Sequence, residues 1–296
     1  MKKFLLCIML FMSILSVFGQ DTAYTFKVLA SKGVVQGNDG NGWVLLKSGS
    51  KILLDSKIKL SSGSYVGLMH SSGKTLELKT DGTYVSSNLE EKLQGSKSSF
   101  SSKYASFVLN NMEKQDSKSN SNVTGSVSRG LGDVKLILPG KFKVLHSKPF
   151  EISWTGEKSK LYKVEVLNLF DETFWMAEAF GTETVVDINF MLLSYFSDYI
   201  IRVTEKGNPK NSSQSTFSLI SMEKEGPISI EMDQIESTMD VTSPLEFLKF
   251  AYFFDQNGLP IYAMSCLKRA EKISPDHGEI TLMRQRYVTE YTSDFK

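Results

Sequence analysis

Between residues 24 and 93 the chain returns to apolar, branched or aromatic residues about every ten positions, the spacing of a strand plus a turn. The apolar segments are 26–29, 42–46, 51–54, 57–60, 65–69, 75–78 and 83–85, and turn clusters rich in Gly, Ser, Asn and Asp fill 37–42, 48–50, 61–64, 71–73 and 80–82. Such regular short strands predict a compact β-roll or sandwich over 20–93. Between 133 and 222 the pattern is again strand-like, with alternation at Ile152 and Trp154, at Tyr162, Val164 and Val166, and at Tyr199, Ile201 and Val203. Segments 185–188 and 216–219 complete a second predicted sandwich. From residue 240 the period changes to that of a helix. Thr242 or Ser243 is placed to cap a helix entered through Pro244, with Glu246 in its first turn.

The connections read differently. Segment 94–132 is dominated by Ser, Lys, Asn and Gln, a composition that buries too little apolar surface to order itself. Within it Tyr104, Phe107, Val108 and Met112 stand three and four apart, which predicts one short helix. Residues 223–239 are expected to be a second linker. The predicted fold is therefore mainly β with a C-terminal α-helical segment: two β-domains (20–93 and 133–222) and helices over 240–296.

The N-terminus changes how the composition is to be taken. Lys2 and Lys3 precede an apolar run from Phe4 to Phe18, and Val17 and Gly19 supply small residues for a cut before Gln20. Residues 1–19 thus have the pattern of a secretory signal peptide, with an apolar run shorter than the roughly 20 residues that span a bilayer. Cys7 sits too early in the run, without small residues before it, for lipidation. The expected location is periplasmic or secreted, with no membrane span left after cleavage. Losing Lys2, Lys3 and Cys7 turns a formal net charge of +1 into −1 and leaves Cys266 as the one thiol. A near-neutral chain has no footprint for nucleic acid, and one Cys forms no internal disulfide.

Three resemblances follow from these residues. Gly33, Val34 and Val35, then Trp43, Leu46, Gly49 and Leu53, then Asp55 and Ile58, and finally Leu68, Gly73, Leu76, Leu78, Gly82 and Val85 stand in an order that resembles the FecR-type domain of envelope proteins. The resemblance implies an exported β-domain with Trp43 in its core. FecR regulators carry a cytoplasmic N-terminal region and a membrane span that this sequence lacks, so the resemblance does not bring their signalling role with it. Pro149, Phe150, Ile152 and Trp154, then Tyr162 and Val164, then Leu193 with Tyr199, Ile201 and Val203 resemble a fibronectin type III or immunoglobulin-like sandwich, in which Tyr199 would be the tyrosine-corner residue. Counting Pro244 as position 1, Ala251 stands at 8, Ala263 at 20, Ala270 at 27 and Pro275 at 32. Those positions resemble a tetratricopeptide repeat, whose period is about 34 residues.

A lone repeat poses a packing problem. Units of this kind stack because none covers its own apolar face, and roughly three are needed for stability. The helix from Leu245 to Phe254 is apolar nearly all round, so the β-sandwich, a second copy or another protein must cover it. The expected interaction surface is Tyr252, Phe253, Tyr262 and Met264.

The search for chemistry yields little. His70, His146 and His277 lie in separate segments without metal-ligand spacing, and no nucleophile elbow or phosphate loop occurs. The Asp39 to Gly42 turn lacks the further acidic ligands of a calcium loop. Glu90 with Glu91 and Asp171 with Glu172 read as solvated pairs. The expected function is a non-enzymatic cell-envelope protein, needing no cofactor, that serves as an interaction or scaffold component. Its expected partner is another envelope protein or a second copy of itself. Two alternatives stand beside it: a glycan or peptidoglycan module using Trp43 and Trp175, and a sensor-type component related to FecR regulators.

Overall fold

In the computed structural model the described residues are 24–93, 104, 107–108, 133–140, 142–146, 148–188, 198–275 and 278–293. Segment 1–19, expected to be a signal peptide, most of segment 94–132, Leu193 and His277 lie outside them. The fold is mainly β with a C-terminal helical part. Among the described residues no helix is long and apolar enough to cross a membrane.

The first unit contains β1 (Phe26–Lys32), β2 (Val35–Asn38), β3 (Val44–Leu45), β4 (Lys51–Ile52), β5 (Lys57–Leu60), β6 (Tyr65–His70), β7 (Thr75–Leu78) and β8 (Gly82–Val85), followed by helix α1 (Ser86–Lys92). Two antiparallel four-stranded sheets form, in the orders β4-β1-β6-β7 and β3-β2-β5-β8. The alternation does its work here: Phe26, Val28, Val66 and Leu68 of one sheet and Val35, Ile58 and Leu60 of the other turn inward, and Leu89 of α1 closes the core.

The second unit is built from β9 (Lys135–Leu136), β10 (Phe142–Val144), β11 (Phe150–Thr155), β12 (Leu161–Leu167), β13 (Thr173–Phe180), β14 (Glu183–Val186), β15 (Asp198–Glu205) and β16 (Asn208–Leu219). A five-stranded sheet, β10-β16-β15-β12-β13, faces a three-stranded one, β14-β11-β9. The β10–β16 pair is parallel and the remaining pairs are antiparallel. Trp154 and Tyr162 meet edge to face at 5.4 Å, and Phe150 meets Phe217 at 5.4 Å. Tyr199 is fully buried and stacks on Phe217. The Tyr162 hydroxyl ties back to the chain five residues upstream: it accepts from the Glu157 N–H at 2.9 Å and donates to the Glu157 carbonyl at 3.1 Å. Gly156, at φ 154°, makes this possible, since a Cβ there would lie 2.5 Å from the hydroxyl.

Segment 223–239, expected as a linker, is largely a helix, α2 (Met222–Glu236). Pro227 and Gly226 inside it hide the helical pattern, and tertiary contacts compensate. Ile228 and Met232 are buried, and the Glu225 carboxylate receives the His146 N–H at 2.9 and 3.1 Å while also bonding the His146 ring.

The C-terminal part is α3 (Pro244–Gln256), α4 (Pro260–Ile273) and α5 (Gly278–Ser293). Of the two residues placed to cap α3, Ser243 accepts the Glu246 N–H at 3.2 Å. Gly258, at φ 68°, turns the chain into α4, and the Leu259 N–H returns to the Phe254 carbonyl at 2.9 Å. Ala251, Ala263 and Ala270 are each fully buried, as small residues between close helices must be.

Candidate functional site

The apolar α3 is covered from within the chain. On one side lies the second sandwich: the Tyr262 hydroxyl of α4 accepts the Leu145 N–H at 3.0 Å and donates to the Lys148 carbonyl at 3.0 Å. On another lie Tyr104 and Phe107, whose rings meet Tyr252 at 5.9 and 5.3 Å; Tyr104 and Val108 of the predicted short helix are fully buried. On a third lies α5, where Tyr287 and Tyr291 both donate to the Asp255 carboxylate, at 2.7 and 2.6 Å. Burial and the Asp255 charge push the Tyr291 hydroxyl up to about 12.

The first β-unit joins this assembly through its own side chains. Ser243 and Tyr65 both donate to Glu77, Lys79 reaches Asp240 at 2.9 Å, and a Cβ on Gly67 would touch Leu245. Leu29 and Met69 consequently belong to the same continuous core as the second sandwich and the helices.

The four expected interaction residues therefore divide. Phe253 and Tyr262 are buried inside the chain's own core, whereas Tyr252 and Met264 are half-buried. They do not form one outward patch: the surface expected for a partner is largely occupied by the sandwich, by Tyr104 and Phe107, and by α5.

What the junction leaves open is a cleft of about 470 Å³ between the sandwich and the helices. Phe247, Phe250 and Phe254 of α3 line it, together with Pro149, Phe150 and Val185 of the sandwich and Met239 and Val241. Tyr262, Ser265, Cys266 and Arg269 of α4 contribute a single helical stripe. Cys266 is a free, buried thiol, and burial pushes it up to about 12, so it lines the cleft as a neutral group. Of the charged lining residues, Lys148 pairs with Glu236 at 2.6 Å, and Glu151 bonds Lys268, which also bonds Glu183. The Arg269 guanidinium stands 6.0 Å from the Phe247 ring. Sequence reasoning missed this cleft because its walls come from segments far apart in the chain, such as those of Lys148 and Arg269. The α4 stripe, with Tyr262, Cys266 and Arg269 at spacings of four and three, was its one visible trace.

Two strand edges also expose apolar side chains. On β3 and beside it, Trp43, Val44 and Leu45 are exposed, and Leu53 and Leu54 lie in the following turn region, also exposed. Trp43, expected in the core, is 43% exposed, with the Lys59 ammonium 5.8 Å from its ring. The strand that carries Val44 and Leu45 is two residues long and terminal in its sheet, and both residues are exposed. On β13, at the end of the five-stranded sheet, Met176 and Phe180 are exposed, Phe180 by 72%, while Trp175 is half-buried against the core.

The residues singled out for chemistry serve local structure. His70 bonds Ser72 at 2.8 Å and approaches Glu90 at 3.5 Å. Asn38 accepts the N–H groups of Gly40 and Gly42, which makes 38–42 a side-chain-closed turn. Asp171 pairs with Arg202 at 2.6 Å. Among the described residues no group of three or more His, Cys, Asp or Glu is arranged to hold a metal ion. No protein-family model and no curated protein sequence matches the chain.

Proposed function

We propose that this is an exported, non-enzymatic protein of the cell envelope that works as a scaffold: its three parts clasp one another, and its open strand edges meet a partner. The observation that carries the proposal is the exposure of Val44 and Leu45 on a terminal strand of one unit, with Trp43 beside it, and of Met176 and Phe180 on a terminal strand of the other. Exposed apolar strand edges are sites at which another chain adds a strand or packs a face. The FecR-type, fibronectin-type and tetratricopeptide-type resemblances support the same reading, because modules of these kinds serve exported assemblies, and the helices here act as the clasp. The partner is another envelope protein or a second copy.

Photocrosslinking from positions 45 and 180 in intact host cells tests the proposal. A discrete adduct from either position, lost on Leu45→Lys or Phe180→Glu respectively, is the expected result. Absence of any adduct from both positions overturns it.

A second reading has one observation in its favour. The exposed Trp43 ring beside Lys59 is suited to stacking on a sugar face, which favours a glycan or peptidoglycan module. Retention on purified peptidoglycan that Trp43→Ala abolishes would select it over the scaffold.

A further inference from the structure

The cleft between the sandwich and the helices has one chemical asymmetry. Its polar wall groups are already engaged: the Tyr262 hydroxyl with Leu145 and Lys148, the Ser265 hydroxyl with the Ile261 carbonyl at 3.2 Å, Lys148 with Glu236, and Glu151 with Lys268. The wall's side chains therefore offer few free partners to an occupant with many polar groups, and each buried polar group left unpaired is costly. An occupant polar at one end only avoids that cost. The remaining charge is Arg269, exposed at the rim, which meets the Phe247 ring and, among the described residues, no carboxylate. The rim is thus electrostatically incomplete by one positive charge. The same cleft is lined by the rings of Phe247, Phe250 and Phe254.

We propose that the cleft binds a single-chain aliphatic carboxylate, a free fatty acid of medium length, with its tail against Phe247, Phe250 and Phe254 and its carboxylate on Arg269. The volume suits the assignment, since about 470 Å³ falls within the roughly 300–1,000 Å³ of small-molecule pockets. The guanidinium suits it too, because its fork matches a carboxylate and it remains charged at every physiological pH. Neutral Cys266 in the wall presents sulfur as an apolar surface. This site is independent of the strand edges, so either proposal can fail without the other.

The test is calorimetric titration of the purified full chain with dodecanoate, and with dodecyltrimethylammonium as the same tail under the opposite charge. One saturable site for dodecanoate and much weaker binding of the cation are expected. Arg269→Gln should weaken dodecanoate about tenfold, the scale of one charge-assisted contact, whereas Arg269→Lys should recover part of it. Val185→Trp, at an exposed position of the lining, should obstruct the cleft at an unchanged melting temperature. Dodecanoate should also slow thiol-reagent labelling of the Cys266 peptide. The proposal is overturned if the folded protein shows no saturable dodecanoate site, if both amphiphiles bind equally and Arg269→Gln changes nothing, or if an apolar octapeptide binds in place of dodecanoate.

Discussion

The two β-units solve the same burial problem in opposite ways. The first encloses its core between its own two sheets and α1, with Phe26, Val28, Ile58, Leu68 and Leu89 forming a cluster that no C-terminal helix enters. In the second, Phe150, Trp154, Tyr162 and Phe217 share one continuous cluster with Phe250, Phe254, Tyr262 and Tyr287 of the helices. One unit is closed by its own chain pattern, and the other is finished only when the C-terminus docks. The difference implies unequal dependence on residues 240–296.

Removing those residues should produce the largest effect. Hydrogen exchange followed by mass spectrometry is expected to show residues 133–222 losing protection, because the sandwich core is continuous with the helices and a domain has a margin of only roughly 5–15 kcal/mol. Residues 24–93 should keep theirs. Equal loss in both units would break the comparison.

Next in size are single core truncations. Phe254→Ala removes a buried ring that meets Phe250, Phe253 and Tyr262, and should cost about 3–5 kcal/mol in the unfolding of the second unit. Phe26→Ala should cost a similar about 3–5 kcal/mol confined to the first unit. Denaturant melts followed by unit-specific exchange distinguish them.

Loss of the polar joints should cost less. Tyr262→Phe leaves the buried Leu145 N–H without its acceptor, and Glu225→Ala does the same to the His146 N–H; about 1–3 kcal/mol each is expected from chemical denaturation. The smallest effect belongs to the tie between the first unit and α3. Hydrogen bonds from Thr242, and then Lys79, hold the Asp240 carboxyl down to about 2, below its ordinary 3.8. Its folded form thus favours the carboxylate, so the contribution is complete above about pH 4 and disappears as pH falls through about 2. The pair is exposed, so Asp240→Asn should lower stability by only about 0.2–1 kcal/mol at pH 6. Thermal melts at pH 6 and pH 2 should show that offset and then its disappearance.

Much of this architecture was legible in the chain. Strands β1, β5, β6, β7, β11, β12 and β15 lie where alternation and turns put them, and Ser243, Pro244 and Gly258 mark the helical hairpin. Strand β13 escaped notice because Met176 and Phe180 are exposed while Phe174, Trp175 and Ala179 face the core, so apolar residues occur on both faces and no alternation survives. Helix α2 escaped because Gly226 and Pro227 interrupt its pattern, while its stabilising contact, Glu225 with His146, spans 79 residues. The exposure of Trp43 could not be read locally either, since it depends on β3 being short and terminal in its sheet.

The sequence by itself determined most of the strands and the C-terminal helical hairpin, and that α3 needs more cover than one partner helix. That information is local: side-chain period, caps and turn residues act within a few positions. Only the tertiary structure decided what supplies the cover. The sandwich, Tyr104 with Phe107, and α5 surround α3, turn Phe253 and Tyr262 inward, and leave the cleft under Arg269. The reason is physical. Apolar burial is non-directional, so an uncovered face specifies that it must be buried and leaves the choice of partner to shape and to the hydrogen bonds that distant residues complete.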